Sequence, residues 1–303
     1  MLRPTLLWMS ERDDVRDLLF KLPFSRSAAS RFVAGDDHKH ALDVAAELNR
    51  QGFRVTLDLL GESVSERVEA ERATAEYAES LELIEHSAAQ TTISLKLTQL
   101  GLDISTEFCT DNLRRIVGKA DELGNFVRID MEHSDYTERT LQAFYSVFGE
   151  YQNVGIVIQS YLKRSEQDIN RLIDLGASVR LCKGAYQEPS SVAFQDKAEV
   201  DASYVRLMKL LLDSGTPTAI ATHDERMIEA TLDYARANDI ARDAFELQML
   251  YGVRRRLQRE LVAEGLPMRL YLPYGSQWYS YFMRRMAERP ANLLFVLRAM
   301  LGD

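Results

Sequence analysis

Apolar residues recur along this chain in two alternating rhythms. Short runs rich in Val, Ile and Leu lie at 53–60, 91–97, 126–131, 154–160, 178–183, 218–222, 245–250 and 268–272. Their length and their bounding turn residues predict eight strands. Between them lie charged segments with helical spacing, among them 64–89, 112–123, 166–175 and 202–214. Gly52, Gly124, Gly176, Gly215 and Gly265 stand at helix-to-strand joins, where a left-handed residue commonly ends a helix. Ahead of the first run, 12–51 reads as a helical preamble. In it Asp36 is predicted to cap a helix through Asn49, with Ala41, Leu42, Ala45 and Leu48 at helical spacing and Gly52 as its stop.

Strands and helices in eightfold alternation predict an α/β fold, a (βα)8 barrel of the TIM type. The competing layout is an open doubly wound sheet. The barrel is preferred because the alternation reaches eight with no shift that suggests a second domain, and 303 residues suit one barrel. No G-x-G-x-x-G follows any strand, so a Rossmann dinucleotide site has no support. The expected organisation is an N-terminal helical arm, 1–52, followed by a barrel catalytic domain, 53–303.

Composition narrows the function classes. Hydrophobic residues at 46% and charged residues at 27% are enough for a large core and a soluble surface. A formal net charge of −9 argues against broad nucleic-acid binding. The two cysteines, Cys109 and Cys182, make no disulfide framework, and no Cys/His spacing suits zinc, so no metal is expected. The apolar run Leu6-Leu7-Trp8-Met9 is too short for a signal-peptide core or a membrane span, and a cytoplasmic location is expected.

Barrel enzymes work at the carboxyl ends of their strands. There the runs place Asp58 and Glu62, then Lys96, then Asp130, Glu132 and His133, then Gln159. Arg180 and Lys183 follow, with Gly184-Ala185-Tyr186, then Thr222-His223-Asp224, Gln248, and Tyr271-Leu272-Pro273-Tyr274-Gly275. One such polar residue alone is more often a satisfied structural group than a catalytic one. Lys96 is sharper: flanked by Leu95 and Leu97, it must find an anion or lose its charge. Arg180 and Lys183 put two cations near one strand end, which suits an anionic ligand.

Beyond the last run, 277–289 reads as a helix stopped by Pro290, with Trp278, Phe282 and Met286 on an apolar face. Tyr281, Arg284, Arg285 and Glu288 follow the spacing i, i+3, i+4, i+7 and share another face. Two guanidiniums can grip a carboxylate while the glutamate orients them or meets an ammonium, a face suited to an amino acid. Its plain alternative is a solvated helix with an Arg284–Glu288 surface pair, a common arrangement worth little.

Several blocks in register resemble the proline dehydrogenase family. Tyr271-Leu272-Pro273-Tyr274-Gly275 with Trp278, Tyr281, Arg284-Arg285, Glu288 and Asn292 is similar to its C-terminal signature. Val179-Arg180-Leu181-Cys182-Lys183-Gly184-Ala185-Tyr186 resembles its fifth-strand motif and Ala221-Thr222-His223-Asp224 its sixth. Ile93 to Leu97, Ile129-Asp130 and Gln159-Ser160-Tyr161-Leu162 also match, so the resemblance covers roughly 50–300. The length resembles the monofunctional bacterial enzymes, without a fused aldehyde dehydrogenase.

The resemblance implies a distorted barrel that holds FAD non-covalently and oxidises L-proline to Δ1-pyrroline-5-carboxylate, by hydride transfer from proline C5 to flavin N5. It also implies a membrane quinone as electron acceptor, transient peripheral contact with the inner face of the membrane, and a pyrroline-5-carboxylate dehydrogenase downstream. By position, Lys96, Arg284 and Arg285 would bind the proline carboxylate. Tyr271 and Tyr281 would wall the pocket, with Glu288 holding the arginines. Tyr186 and Leu250 would line the pocket, and Asp130 would stand beside it. Arg180 and Gln159 would contact the isoalloxazine; Lys183, Gly184, Ala185, Thr222, His223 and Gln248 would contact the rest of FAD. Asp224 stands where many relatives carry Asn and is given no cofactor role. Two other readings stay open: an aldolase-like barrel forming a Schiff base at Lys96 or Lys183, and a barrel that binds an amino acid without chemistry.

Overall fold

All eight apolar runs form strands, and hydrogen bonding closes them into one ring in sequence order, every pairing parallel. The computed structural model describes residues 31–61 and 63–278. Helix α1 (His38–Arg50) precedes β1 (Arg54–Leu59), followed by α2 (Arg67–Glu85), β2 (Thr91–Leu95) and a 3-10 turn (Leu97–Leu100). Then come α3 (Thr106–Glu122), β3 (Val127–Ile129), α4 (Ser134–Phe148), β4 (Val154–Gln159) and α5 (Ser165–Asp174). The second half holds β5 (Ser178–Cys182), α6 (Lys197–Ser214), β6 (Thr218–Ala221), α7 (Glu225–Ala237), β7 (Phe245–Leu250), α8 (Arg255–Ala263) and β8 (Met268–Tyr274). The (βα)8 expectation is met and the open sheet is excluded, because β8 pairs with β1 from Arg54↔Arg269 to Leu59↔Tyr274.

Element ends shifted by a few residues from their expected places. The long helix after β1 is shorter than 64–89, and β8 runs on to Tyr274. The cap of α1 is Asp37, not Asp36: the Asp37 carboxylate accepts from His40 N at 2.9 Å. Asp37 stands three residues before that amide, the spacing an N-cap needs. At the end of α6, Gly215 adopts φ +69°, the left-handed stop expected there.

Alternation within each strand divides the barrel into two shells. Val55 and Leu57, Ile93 and Leu95, Val127 and Ile129, Leu270 and Leu272 are buried in the large apolar cluster that also takes in helix residues such as Leu81 and Leu113. The alternate positions are polar and meet across the lumen. Asp58 of β1 reaches Lys96, Arg180 of β5 reaches Ser94, and Arg269 of β8 reaches Thr92 of β2. Most such barrels fill the lumen with branched apolar side chains. Here it is filled largely by a hydrogen-bonded polar network.

Helix α1 packs on the outside of the β8–β1 seam. Its neighbours are α2, through His38 Nε2 and Ser80 Oγ at 2.8 Å, and α8, whose Val262 lies under Gly52. The chain leading into it is tied to the end of β8, Ala34 N donating to Pro273 O at 2.8 Å and Gly275 N to Gly35 O at 2.9 Å. The described part of the expected N-terminal arm thus lies against the barrel wall.

Gly155 in β4 makes room for a lumen side chain. A Cβ there would stand 2.4 Å from Arg128 Nη1 and 2.7 Å from the Ser178 carbonyl oxygen. Gly155→Ala is expected to destabilise the barrel by about 1–3 kcal/mol through overpacking. Urea unfolding checks this, and an unchanged midpoint would mean that the Arg128 side chain yields without cost.

Candidate active site

At the carboxyl ends of β1, β2, β3, β5 and β8 five side chains form one network. Lys96 follows the last residue of β2, and its ammonium donates to Asp58 Oδ1 at 2.8 Å and to the Tyr271 hydroxyl at 3.4 Å. Asp130 Oδ2 stands 3.7 Å from the same nitrogen. Tyr271 donates to Asp130 Oδ2 at 2.6 Å, and Arg180 Nη1 donates to Asp130 Oδ1 at 2.9 Å. Arg180 Nη2 also reaches Ser94 Oγ at 3.1 Å, and its guanidinium lies 5.4 Å from the Tyr271 ring centre. Asp130 is therefore the node that joins lysine, arginine and tyrosine.

The charge state of Lys96 follows from its partners. Burial opposes the ammonium, but Asp58 and Asp130 outweigh it and hold its pKa above the ordinary lysine value. The side chain of Asp58 is 0% exposed, so the pair is a desolvated one, and losing either partner would strand the other. A Schiff-base lysine needs the opposite, a depressed pKa. Lys96 does not have it. Glu132 steadies the following turn by accepting from Thr98 Oγ1 at 2.8 Å and Thr98 N at 3.3 Å; burial raises its carboxyl above the usual range.

A second cluster lies at the ends of β5 and β6. Lys183 donates to Asp224 Oδ2 at 2.7 Å and to Asp201, while Lys197 joins Asp201 from the surface. Hydrogen bonding from Lys183 is the main cause that holds Asp224 down to about 2. Asp224 also caps α7, accepting from Arg226 N at 3.2 Å, and its own amide donates to Thr222 Oγ1 at 3.1 Å. An anion approaching Lys183 must compete with two carboxylates.

The remaining expected residues take distinct places. His223 Nε2 accepts from Leu250 N at 2.9 Å. Gln248 Nε2 donates to Glu246 Oε1 at 2.5 Å, and Gln159 Nε2 to Met131 O at 3.2 Å. Tyr186 leaves the network and packs on His133, ring centres 4.1 Å apart, in a loop that Glu188 anchors to Ser134 N at 2.8 Å. Gly184 adopts φ +99°, and a Cβ there would fall 2.3 Å from the Tyr161 ring; Ala185 beside it is exposed. Tyr281, Arg284, Arg285 and Glu288 lie outside the described residues, as does Glu62.

These residues fit a flavin. Gln159 Oε1 is buried with no donor among the described residues, next to Arg180 on the neighbouring strand. Such a pair suits a heterocycle edge that both donates and accepts, and the left-handed Gly184 lets the backbone of the β5 loop come close to a bound group.

Sequence reasoning noticed Asp58 but assigned it no role, and it passed over Asp201, Ser94, Arg128, Glu246 and Arg269. The signal was available in strand parity: Arg128 shares the inward register of Asp130, and Glu246 that of Gln248.

The profile described as proline dehydrogenase matches residues 41–298. Proline dehydrogenase 1 of Bacillus subtilis is 42% identical over 301 residues, covering 99% of both chains. The proline dehydrogenase of Deinococcus radiodurans is 40% identical over 304 residues, covering 99% of this chain and 97% of its own. Among solved structures, proline utilization A from Bdellovibrio bacteriovorus inactivated by N-propargylglycine superposes with a TM-score of 0.81 at 29% identity. The match covers 86% of this chain and 32% of that longer one. The chain belongs to the proline dehydrogenase family.

Proposed function

We propose that this protein oxidises L-proline to Δ1-pyrroline-5-carboxylate with bound FAD, passing the electrons to a membrane quinone. The observation that carries the reading is the ammonium of Lys96, kept charged and aimed into the barrel mouth by Asp58 and Asp130 beside the Tyr271 hydroxyl. Such a group receives a carboxylate without moving. Arg284 and Arg285 complete the clamp in this proposal, with Tyr281 and Tyr271 walling the ring and Glu288 setting the arginines. Tyr186 and Leu250 close the pocket.

FAD, when bound, accepts the hydride from proline C5. The chain's own residues bind, orient and exclude water. Arg180 and Gln159 would hold the ring edge, with Asp130 fixing the guanidinium. Lys183, Gly184, Ala185, Thr222, His223 and Gln248 would hold the remainder. In this proposal the protein is cytoplasmic, and quinone use brings it into transient contact with the inner membrane face. No helix among the described residues is long and apolar enough to cross a membrane.

Protein purified with FAD supplied is expected to be yellow, and its visible bands to bleach when L-proline is added without oxygen. A colourless protein after that treatment sinks the reading. Bleaching absent in a yellow protein would sink the substrate alone.

Lys96→Met, Arg284→Met and Arg285→Met each remove a charge-assisted hydrogen bond worth about 1.5–3 kcal/mol. Each is expected to lower kcat/KM for L-proline by roughly ten- to a hundredfold, mainly through KM. Steady-state kinetics check this, and unchanged constants would remove that residue from the clamp.

Asp224→Asn keeps the α7 cap and removes one of the two carboxylates that compete for Lys183. Flavin binding followed by fluorescence quenching is expected to tighten severalfold. Unchanged or weaker binding would take Lys183 away from the flavin phosphates.

A further inference from the structure

Three of the lumen's buried cations each own a carboxylate. Lys96 meets Asp58 at 2.8 Å, Arg180 meets Asp130 at 2.9 Å, and Arg269 meets Glu246 at 2.6 Å. Arg128 is the odd one. It is 6% exposed, and its partners are neutral: the Ser178 carbonyl at 2.7 Å, Ser178 Oγ at 2.9 Å and the Ile156 carbonyl at 3.4 Å.

Among the described residues no carboxylate forms an ion pair with it, and the nearest ones already serve other cations. Glu246 Oε1 accepts from Arg269 Nε and Gln248 Nε2, and Oε2 from Arg269 Nη2 and Arg54 Nη1. Asp130 is taken by Arg180 and Tyr271 with Lys96 beside it. Burial first, and then the Arg180 guanidinium, depress Arg128 to about 9, which still leaves it protonated at neutral pH. Glu246 and Asp130 favour its charge from farther off. A buried charge with no ion-pair partner among the described residues is still costly, yet Gly155 in β4 gives up a side chain to admit this one.

Beside Arg128 lies a cavity of about 30 Å³, bordered also by Arg180, Arg269, Thr92, Glu246, Gln248 and the Phe126 ring, whose centre is 4.9 Å from the Arg128 guanidinium. Three guanidiniums face it against one carboxylate. It has room for a small occupant. A water there would leave the charge of Arg128 unmatched, and a single small anion would match it.

We propose that this cavity binds one halide-sized monovalent anion, which supplies the counter-charge that Arg128 lacks. Arg180 and Gln248 border both this cavity and the proposed flavin site, whereas Arg128, Glu246 and Arg269 belong to the cavity alone; the argument from Arg128 does not depend on the flavin reading. Bound only in the folded barrel, such an anion stabilises the fold in proportion to the logarithm of its concentration.

The test uses the full chain with bromide as the probe. Crystals grown with bromide in place of chloride are expected to give an anomalous peak in the cavity, within hydrogen-bond reach of Arg128. In solution, the thermal midpoint is expected to rise with bromide relative to gluconate at equal ionic strength. Arg128→Met is expected to abolish that difference. A cavity holding only water, or equal midpoints in the two salts for the unmodified protein, overturns the proposal. Should Arg128→Met fail to fold, the anomalous map and the wild-type salt comparison still decide it.

Discussion

Everything at the mouth of this barrel depends on charges that face inward being paired. The inward charges are largely withdrawn from water, so each ammonium or guanidinium needs an oxygen at bonding distance or its desolvation would oppose folding. Asp130 meets that demand for several groups together. It binds Arg180 and Tyr271 and stands beside Lys96, so side chains from β2, β3, β5 and β8 share one geometry. Asp58 from β1 secures the far side of the lysine. Shared partners of this kind hold one another in place, although Asp58 Oδ2 and Arg180 Nε lack a hydrogen-bond partner among the described residues.

Rigidity matters because the family's chemistry asks the protein for placement. With hydride acceptance supplied by a cofactor, what remains is to hold a carboxylate, a ring and a flavin edge in fixed relation. Cations prepaired with buried carboxylates do this without rearranging. The cluster at Lys183 works differently. Two aspartates hold the lysine nearer the surface, and an arriving anion has to displace part of that shell.

The barrel was legible because short Val/Ile/Leu-rich runs and helical segments alternate eight times, and only closure needed coordinates. The mouth residues were legible too, since βα loops collect at one end. The lumen was not. Reading strands as Val/Ile/Leu runs drew attention to the outward shell, Ile93 and Leu95 or Val127 and Ile129, and hid Arg128 between its apolar neighbours. Partner choice was equally hidden. Lys96 clearly required an anion, but nothing in the order of residues singled out Asp58, 38 positions away, over Asp130 or Glu132. The cap at Asp37 rather than Asp36 is the same limit in small: two adjacent aspartates, and only backbone geometry to choose between them.

Helix α1 and β8 come from opposite ends of the described chain, yet they share the seam where the ring closes. During synthesis, the face carrying Ala41, Ala45 and Leu48 emerges early and has to wait for the partner strand at 268–274. That ordering loads the closing step with long-range contacts, which slow folding and leave an apolar surface bare on the nascent chain. A barrel built this way closes late, and part of the α1 face stays bare until β8 has been made.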